Sequence, residues 1–160
     1  MACLICKGQS DSTIIAKKEY KAYTNEFMIS AGYEYCTRNF MDVGLRYYHW
    51  RNDGQTAMAF SGFAIGTEIS LVEKEQIYIP YIGWQGQYMF IAYGLRAEYG
   101  IGKKNQAFSI LPEIGLSLIE LLRITAGYRF VVENKDPLNL SGFRFSVIVA
   151  FPLSFLKKDV

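Results

Sequence analysis

Tyr93-Gly94-Leu95-Arg96-Ala97-Glu98-Tyr99-Gly100-Ile101 alternates large apolar or aromatic residues with glycine and charge. Successive residues of a strand point to opposite faces. Tyr93, Leu95, Ala97, Tyr99 and Ile101 therefore share one face, and Gly94, Arg96, Glu98 and Gly100 share the other. The phrase glycine, large apolar, arginine returns in Gly44-Leu45-Arg46, Gly127-Tyr128-Arg129 and Gly142-Phe143-Arg144. Gly32-Tyr33-Glu34 and Gly66-Thr67-Glu68 end on an acid instead, and Glu113-Ile114-Gly115 reverses the order. A soluble barrel hides its apolar face and exposes charge. A barrel in lipid does the reverse and satisfies its backbone by closing on itself. The pattern predicts an all-β fold: an eight-stranded antiparallel up-and-down transmembrane β-barrel with a polar, Arg/Glu-filled interior.

Eight strands are expected, at 21–36, 40–51, 55–72, 77–85, 88–101, 106–117, 121–132 and 141–154. About 9–11 residues suffice to cross a bilayer at a tilt. The separators are turn-like: Cys36-Thr37-Arg38-Asn39, Arg51-Asn52-Asp53-Gly54, Glu73-Lys74-Glu75-Gln76, Gln85-Gly86-Gln87 and Gly102-Lys103-Lys104-Asn105. Asn52-Asp53-Gly54 is a hairpin signal. A sixth turn is expected near Leu118-Ile119-Glu120, and a longer one from Glu133 to Leu140 around Pro137. Strand four, Ile77 to Trp84, is apolar on both faces and contains Pro80, which predicts a bulge or an irregular stretch. Strand eight sets Phe143, Phe145, Val147, Val149, Phe151 and Leu153 against Gly142, Arg144, Ser146, Ala150 and Pro152, with Ile148 the one misfit.

The domain layout follows: 1–19 a signal-peptide remnant and polar lead-in, 20–155 the barrel, 156–160 a polar tail. Met1 to Cys6 reads as the end of an export signal that lacks its basic start. Mean hydropathy is +0.06, yet no run of about 18 apolar residues, as a helical span needs, is present. The net charge of +2 gives no sign of a nucleic-acid surface, and no nucleic-acid partner is expected. Cys3 and Cys6 form a C-x-x-C without a second ligand pair, so no metal site is expected.

Charge sorts by type. Arg46, Arg96, Arg123, Arg129 and Arg144 fall on inward faces with Glu34, Asp42, Glu68, Glu98 and Glu113, while every lysine falls at a strand end, in a turn or in a tail. Buried charges must be paired, and the five-donor arginine fork suits that task better than strongly hydrated lysine. An eight-stranded barrel is just wide enough to be filled by side chains. Inward glycines are expected to clear room for the arginines, giving a plugged lumen rather than a pore. Aromatics are expected at two heights. Tyr47, Trp50, Trp84 and Tyr88 lie on the side of the termini, and Tyr99, Tyr128, Tyr33, Tyr35, Tyr78 and Phe130 lie toward the opposite rim, as in the girdles of a membrane barrel.

No catalytic residue stands out. Carboxylates matched by guanidiniums stay ionised and unreactive. His49, the one histidine, falls outward at a rim. Neither a Gly-x-Ser-x-Gly nor a phosphate loop nor a His-Glu-x-x-His is present. The chain is expected to be non-enzymatic, with no cofactor.

Strand number, inward Arg/Glu pairs, Gly-x-Arg phrases and short turns make the chain resemble the small outer-membrane β-barrel proteins of Gram-negative bacteria, the OmpA-transmembrane-domain and OmpX-like class. The resemblance covers about residues 20–155. It implies a place in the cell outer membrane, contact with outer-membrane lipid and lipopolysaccharide, insertion by the outer-membrane machinery, and a structural or surface-interaction role. The class usually finishes on an aromatic residue; Phe155 is the candidate, followed here by Leu156-Lys157-Lys158-Asp159-Val160. The lipid A-modifying enzymes PagL and PagP share the architecture. The first type needs a late His, Ser and Glu, and the second a His with Asp-Ser on the outer rim, where this chain has Asp-Ser only at Asp11-Ser12. A third possibility is a soluble lipocalin-like small-ligand-binding barrel. It requires the opposite register on most strands and does not explain why lysine avoids them.

Overall fold

The computed structural model describes residues 23–51, 59–72, 76–118, 121–132 and 136–154. The strands are β1 (Tyr23–Tyr35), β2 (Asn39–Arg51), β3 (Ala59–Ser70), β4 (Tyr78–Tyr88), β5 (Ile91–Ile101), β6 (Gln106–Leu118), β7 (Leu122–Val131) and β8 (Gly142–Pro152). Each pairs antiparallel with its neighbours in sequence, and β8 pairs back onto β1, from Tyr35↔Phe145 to Met28↔Pro152, so the sheet closes. Closure removes both unpaired edges. The β1 start and the β8 end lie at one end of the barrel, here the near end. The β1–β2, β3–β4, β5–β6 and β7–β8 connections lie at the far end.

The alternation of burial follows the alternation of chemistry. In β6 buried Ala107, Ser109, Leu111, Glu113 and Ser117 oppose exposed Phe108, Ile110, Pro112, Ile114, Leu116 and Leu118. In β8, Ile148 follows the inward parity of Arg144 and Ser146 and is fully buried. It fills the space beside Gly32, where an added Cβ would meet its side chain at 2.7 Å. Parity, not polarity, decides its face.

Two expectations are corrected, and that for strand four is met in part. Gln85-Gly86-Gln87 is not a turn: β4 runs on to Tyr88 and the reversal falls at Met89-Phe90, with Met89 at φ 55. The physical reason is that Gln85 and Gln87 are buried inside the barrel and hydrogen-bonded there, while Tyr93 lies across Gly86. Pro80 causes no bulge. It pairs in register with Thr67 of β3, and the expected irregular stretch lies on the other side, where the β4–β5 ladder skips from Tyr78↔Ile101 to Tyr81↔Glu98 without slipping. The inward glycines clear space mainly for other groups than arginine. A Cβ on Gly44 or Gly66 would stand 2.8 or 2.5 Å from the Tyr81 hydroxyl, and one on Gly100 would stand 2.8 Å from Leu140.

Two apolar clusters mark the ends of the interior. At the far end Phe40, Ile77, Ile79, Ala107, Leu138 and Leu140 pack together, and at the near end Met28, Tyr48, Phe60 and Ala150 do so. Leu138 and Leu140 come from the β7–β8 connection, which folds back into the mouth. Asp136 holds the fold-back by accepting from the Leu140 and Ser141 amides, and Thr37 Oγ1 donates to Asn139 O at 2.7 Å. The segments 1–19 and 156–160, Phe155 and the Asn52-Asp53-Gly54 turn lie outside the described residues.

Candidate functional site

The ten inward charges sit on seven strands. Glu34 comes from β1, Asp42 and Arg46 from β2, Glu68 from β3, Arg96 and Glu98 from β5, Glu113 from β6, Arg123 and Arg129 from β7, and Arg144 from β8. All ten are buried. Arg96 Nη1 lies 3.2 Å from Glu34, 3.1 Å from Asp42 and 3.6 Å from Glu68. Arg129 grips Glu98 through Nε and Glu68 through Nη2, each at 2.6 Å. Arg144 donates to Glu34 through Nε at 2.8 Å and through Nη2, reaches Glu113 at 3.0 Å and lies 3.3 Å from Glu68. Arg123 lies 3.3 Å from Glu113. These are the charge-assisted, forked contacts for which arginine is suited.

Carboxylate oxygens of Glu34, Asp42 and Glu68 come within 4.8 Å of one another. Such a trio can hold a cation. Here the guanidiniums of Arg96 and Arg144 stand among them and supply the positive charge.

Arg46 differs from the other arginines. Among the described residues its one hydrogen bond, at 3.2 Å, runs from Nη1 to the Tyr48 hydroxyl, and no carboxylate there is within ion-pair distance. Tyr48 donates to Gln85 Oε1 at 3.1 Å, and Gln85 Nε2 donates to Glu113 at 3.3 Å. Arg46 is thus tied to the network through neutral groups.

Those neutral groups are what charge patterning misses. Tyr81 donates to Asp42 at 3.0 Å, and its ring lies 4.5 Å beneath the Arg96 guanidinium. Ser109 donates to Glu98 and Thr125 to Glu113, each at 3.2 Å. Strand β4 contributes no charge, yet it supplies Tyr81 and Gln85 at the places where the acids need donors. Its inward parity is the sequence signal that finds them.

The aromatics expected at the interfaces lie as follows. Trp84, Tyr88 and Tyr99 are exposed on the outer wall, and Tyr47 and Tyr128 are half-buried there. Tyr47 packs on Phe27 at 4.8 Å, Trp84 on Tyr93 at 5.5 Å, and Tyr128 edge-on to Phe143 at 5.2 Å. Trp50 takes the ladder position opposite Thr24 and Phe60, and its side chain lies outside the described residues. His49 is exposed near the near end, its Nδ1 2.6 Å from Asn25 Oδ1. Cys36, in the β1–β2 turn, is buried and donates its thiol to Leu140 O at 3.3 Å. Burial pushes that thiol up, against the lowering pull of Arg129. Cys3 and Cys6 lie outside the described residues.

Comparison with protein-family models, with characterised proteins and with solved structures finds no match to this chain.

Proposed function

We propose that this chain is a β-barrel protein of the cell outer membrane, non-enzymatic, with a structural or surface-interaction role and a lumen closed by its own side chains. The observation that carries this is the outer wall. Leu45, Ile65, Ile82, Leu95, Ile114, Leu116 and Phe143 all stand outward and exposed, Phe143 at 82%, while arginine and glutamate are packed inside. A monomeric soluble protein seldom exposes contiguous apolar patches beyond a few hundred Å². Hydrocarbon is the solvent that makes such a wall favourable. The partners follow from that place: outer-membrane lipid, lipopolysaccharide and the insertion machinery.

The filled interior favours a closed barrel over a porin-like channel. Charge occupies the middle, and an apolar cluster stands at each end. A lipocalin-like binder is disfavoured by the same packing, since its cavity must be apolar and open to a ligand. A lipid A-modifying enzyme of the deacylase type is disfavoured by position, since it needs a histidine on the late strands and the one histidine, His49, stands on β2.

Refolding from urea tests the proposal. With lipid vesicles the chain is expected to gain β-sheet circular dichroism and a gel mobility that changes on boiling. In plain buffer it is expected to gain neither. A soluble folded monomer in buffer refutes the membrane assignment.

A further inference from the structure

Turns at the two ends of the barrel differ in chemistry. At the far end Thr37-Arg38 and Lys103-Lys104-Asn105 are polar. At the near end the β4–β5 turn is Met89-Phe90, and Leu118 and Leu121 flank the β6–β7 turn. These four are exposed, Phe90 at 62%. The two turns are neighbours, since Phe90 O accepts from Ser117 N at 2.9 Å. Tyr88 and the ladder partners Ile91 and Leu116 are exposed beside them, so the apolar outer wall runs onto this rim without a break. The opposite side of the same end is polar. Asn25 and His49 are exposed and hydrogen-bonded to each other, and Ser154 donates to Glu26. Ile119 and Glu120, in the middle of the β6–β7 turn, lie outside the described residues.

Apolar side chains alone would also fit a protein partner. The backbone separates the two cases. In hydrocarbon a carbonyl must find its donor within the chain, whereas a turn in water leaves carbonyls to solvent. Leu118 O accepts from Leu121 N at 3.0 Å, and Leu121 O accepts from Ala150 N at 2.9 Å. Gln87 Nε2 donates both to Met89 O and, at 3.4 Å, to Ser117 O. With the Phe90 bond, each of Met89, Phe90, Ser117, Leu118 and Leu121 has its carbonyl satisfied from within the barrel. Gln87 is buried at the inner side of this rim, and its one amide closes both turns. A protein partner brings donors of its own to such a rim. Acyl chains bring none.

We infer that the β4–β5 and β6–β7 turns are immersed in the near-end leaflet, with Met89 and Phe90 among acyl chains just beneath the headgroups. The inference rests on the membrane assignment above and deepens it, because it names lipid rather than water or protein as the partner of this rim. An acid such as Glu120 costs little at that shallow depth. The polar side, at Asn25, Glu26, His49 and Ser154, stays at the water. The barrel therefore stands with its β4–β7 side deeper in this leaflet than its β1–β2 side.

The test refolds the full chain in phosphatidylcholine vesicles with brominated acyl chains and reads one tryptophan at a time. Trp50→Phe leaves Trp84, a reporter on the outer wall. Adding Trp84→Phe and Phe90→Trp reads the β4–β5 turn, and Met89→Trp in the same background repeats the reading at a second position. Lys104→Trp in that background reads a far-end turn. Heat-modifiable gel mobility verifies that each variant folds. Brominated chains are expected to quench the Phe90→Trp and Met89→Trp variants about as strongly as they quench Trp84. Aqueous iodide is expected to quench the Lys104→Trp variant and to spare the other two. Iodide quenching of both near-end variants without bromine quenching puts the turns in water and overturns the immersion. Quenching by neither agent means that a second copy or another protein covers the turns, and it overturns the immersion as well. If Trp84 also escapes bromine, the membrane assignment itself fails, whereas a quenched Trp84 beside unquenched turn variants refutes only the immersion.

Discussion

Replacing Arg129 by methionine removes a guanidinium and keeps much of the side chain's length. Two contacts of 2.6 Å disappear, one to Glu98 and one to Glu68. Glu68 keeps Arg144 at 3.3 Å and Arg96 at 3.6 Å, but among the described residues Glu98 keeps only the Ser109 hydroxyl at 3.2 Å. Breaking a buried pair from one side costs about 3–5 kcal/mol, because the remaining charge is stranded out of water. That loss is expected for Arg129→Met. Adding Glu98→Gln removes the stranded charge and is expected to restore about half or more of the loss, the signature of a coupled buried pair. Arg46→Met is the internal control. Among the described residues Arg46 has no carboxylate within ion-pair distance, so the change strands no charge, only the Tyr48 hydroxyl that also bonds Gln85, and it is expected to cost less than half as much as Arg129→Met. The assay is reversible urea unfolding in lipid vesicles, followed by tryptophan fluorescence and by gel mobility. A loss of about 1 kcal/mol or less for Arg129→Met, the range of exposed ion pairs, with no rescue by Glu98→Gln, would refute the dehydrated network.

Three further outcomes are expected. Leu45→Arg puts a charge on a half-exposed outward position; it is expected to cost about 2–4 kcal/mol in a bilayer if the site lies near mid-depth, and close to nothing if that wall faces water, as vesicle unfolding will show. The wild-type chain is expected to give no steady conductance in a planar bilayer, and Leu140→Ala, at a fully buried residue of the far cluster, is expected to destabilise by about 2–5 kcal/mol and to admit brief openings; a steady open channel in the wild type would overturn the closed lumen. Cys36 is expected to alkylate more slowly in the folded barrel than in the urea-unfolded chain at the same pH, by peptide mass spectrometry, because burial disfavours the reactive thiolate, and the folded-state rate should climb with pH beyond the point where the unfolded chain's rate has levelled.

Much of the architecture is legible from alternation alone. Arg96 and Glu98 fall on one parity and Leu95 and Tyr99 on the other, and the structure keeps them on opposite faces. Composition misled where a turn and a polar lumen use the same residues. Gln85-Gly86-Gln87 reads as a turn, yet two glutamines spaced by one residue also form a buried polar row on a strand. Ile148, the chemical misfit of its face, keeps the inward parity, since a large apolar residue can fill space inside when it faces a glycine such as Gly32. Leu138 and Leu140 carry no periodic signal because they lie in a connection that folds back, held by Asp136 and Thr37.

The sequence by itself determined which face of each strand carries charge and that arginine, not lysine, is set inside. Side-chain parity along a strand is a local property of the backbone, and the physical chemistry of buried charge selects the guanidinium. Only the tertiary structure decided which arginine meets which acid. Arg144 and Glu34 stand 110 residues apart in the chain and meet because β8 closes onto β1. Register and closure fixed that pairing, left Arg46 to a tyrosine, and gave Tyr81 its place over Gly44 and Gly66. Those are contacts across the barrel, and no local pattern of residues encodes them.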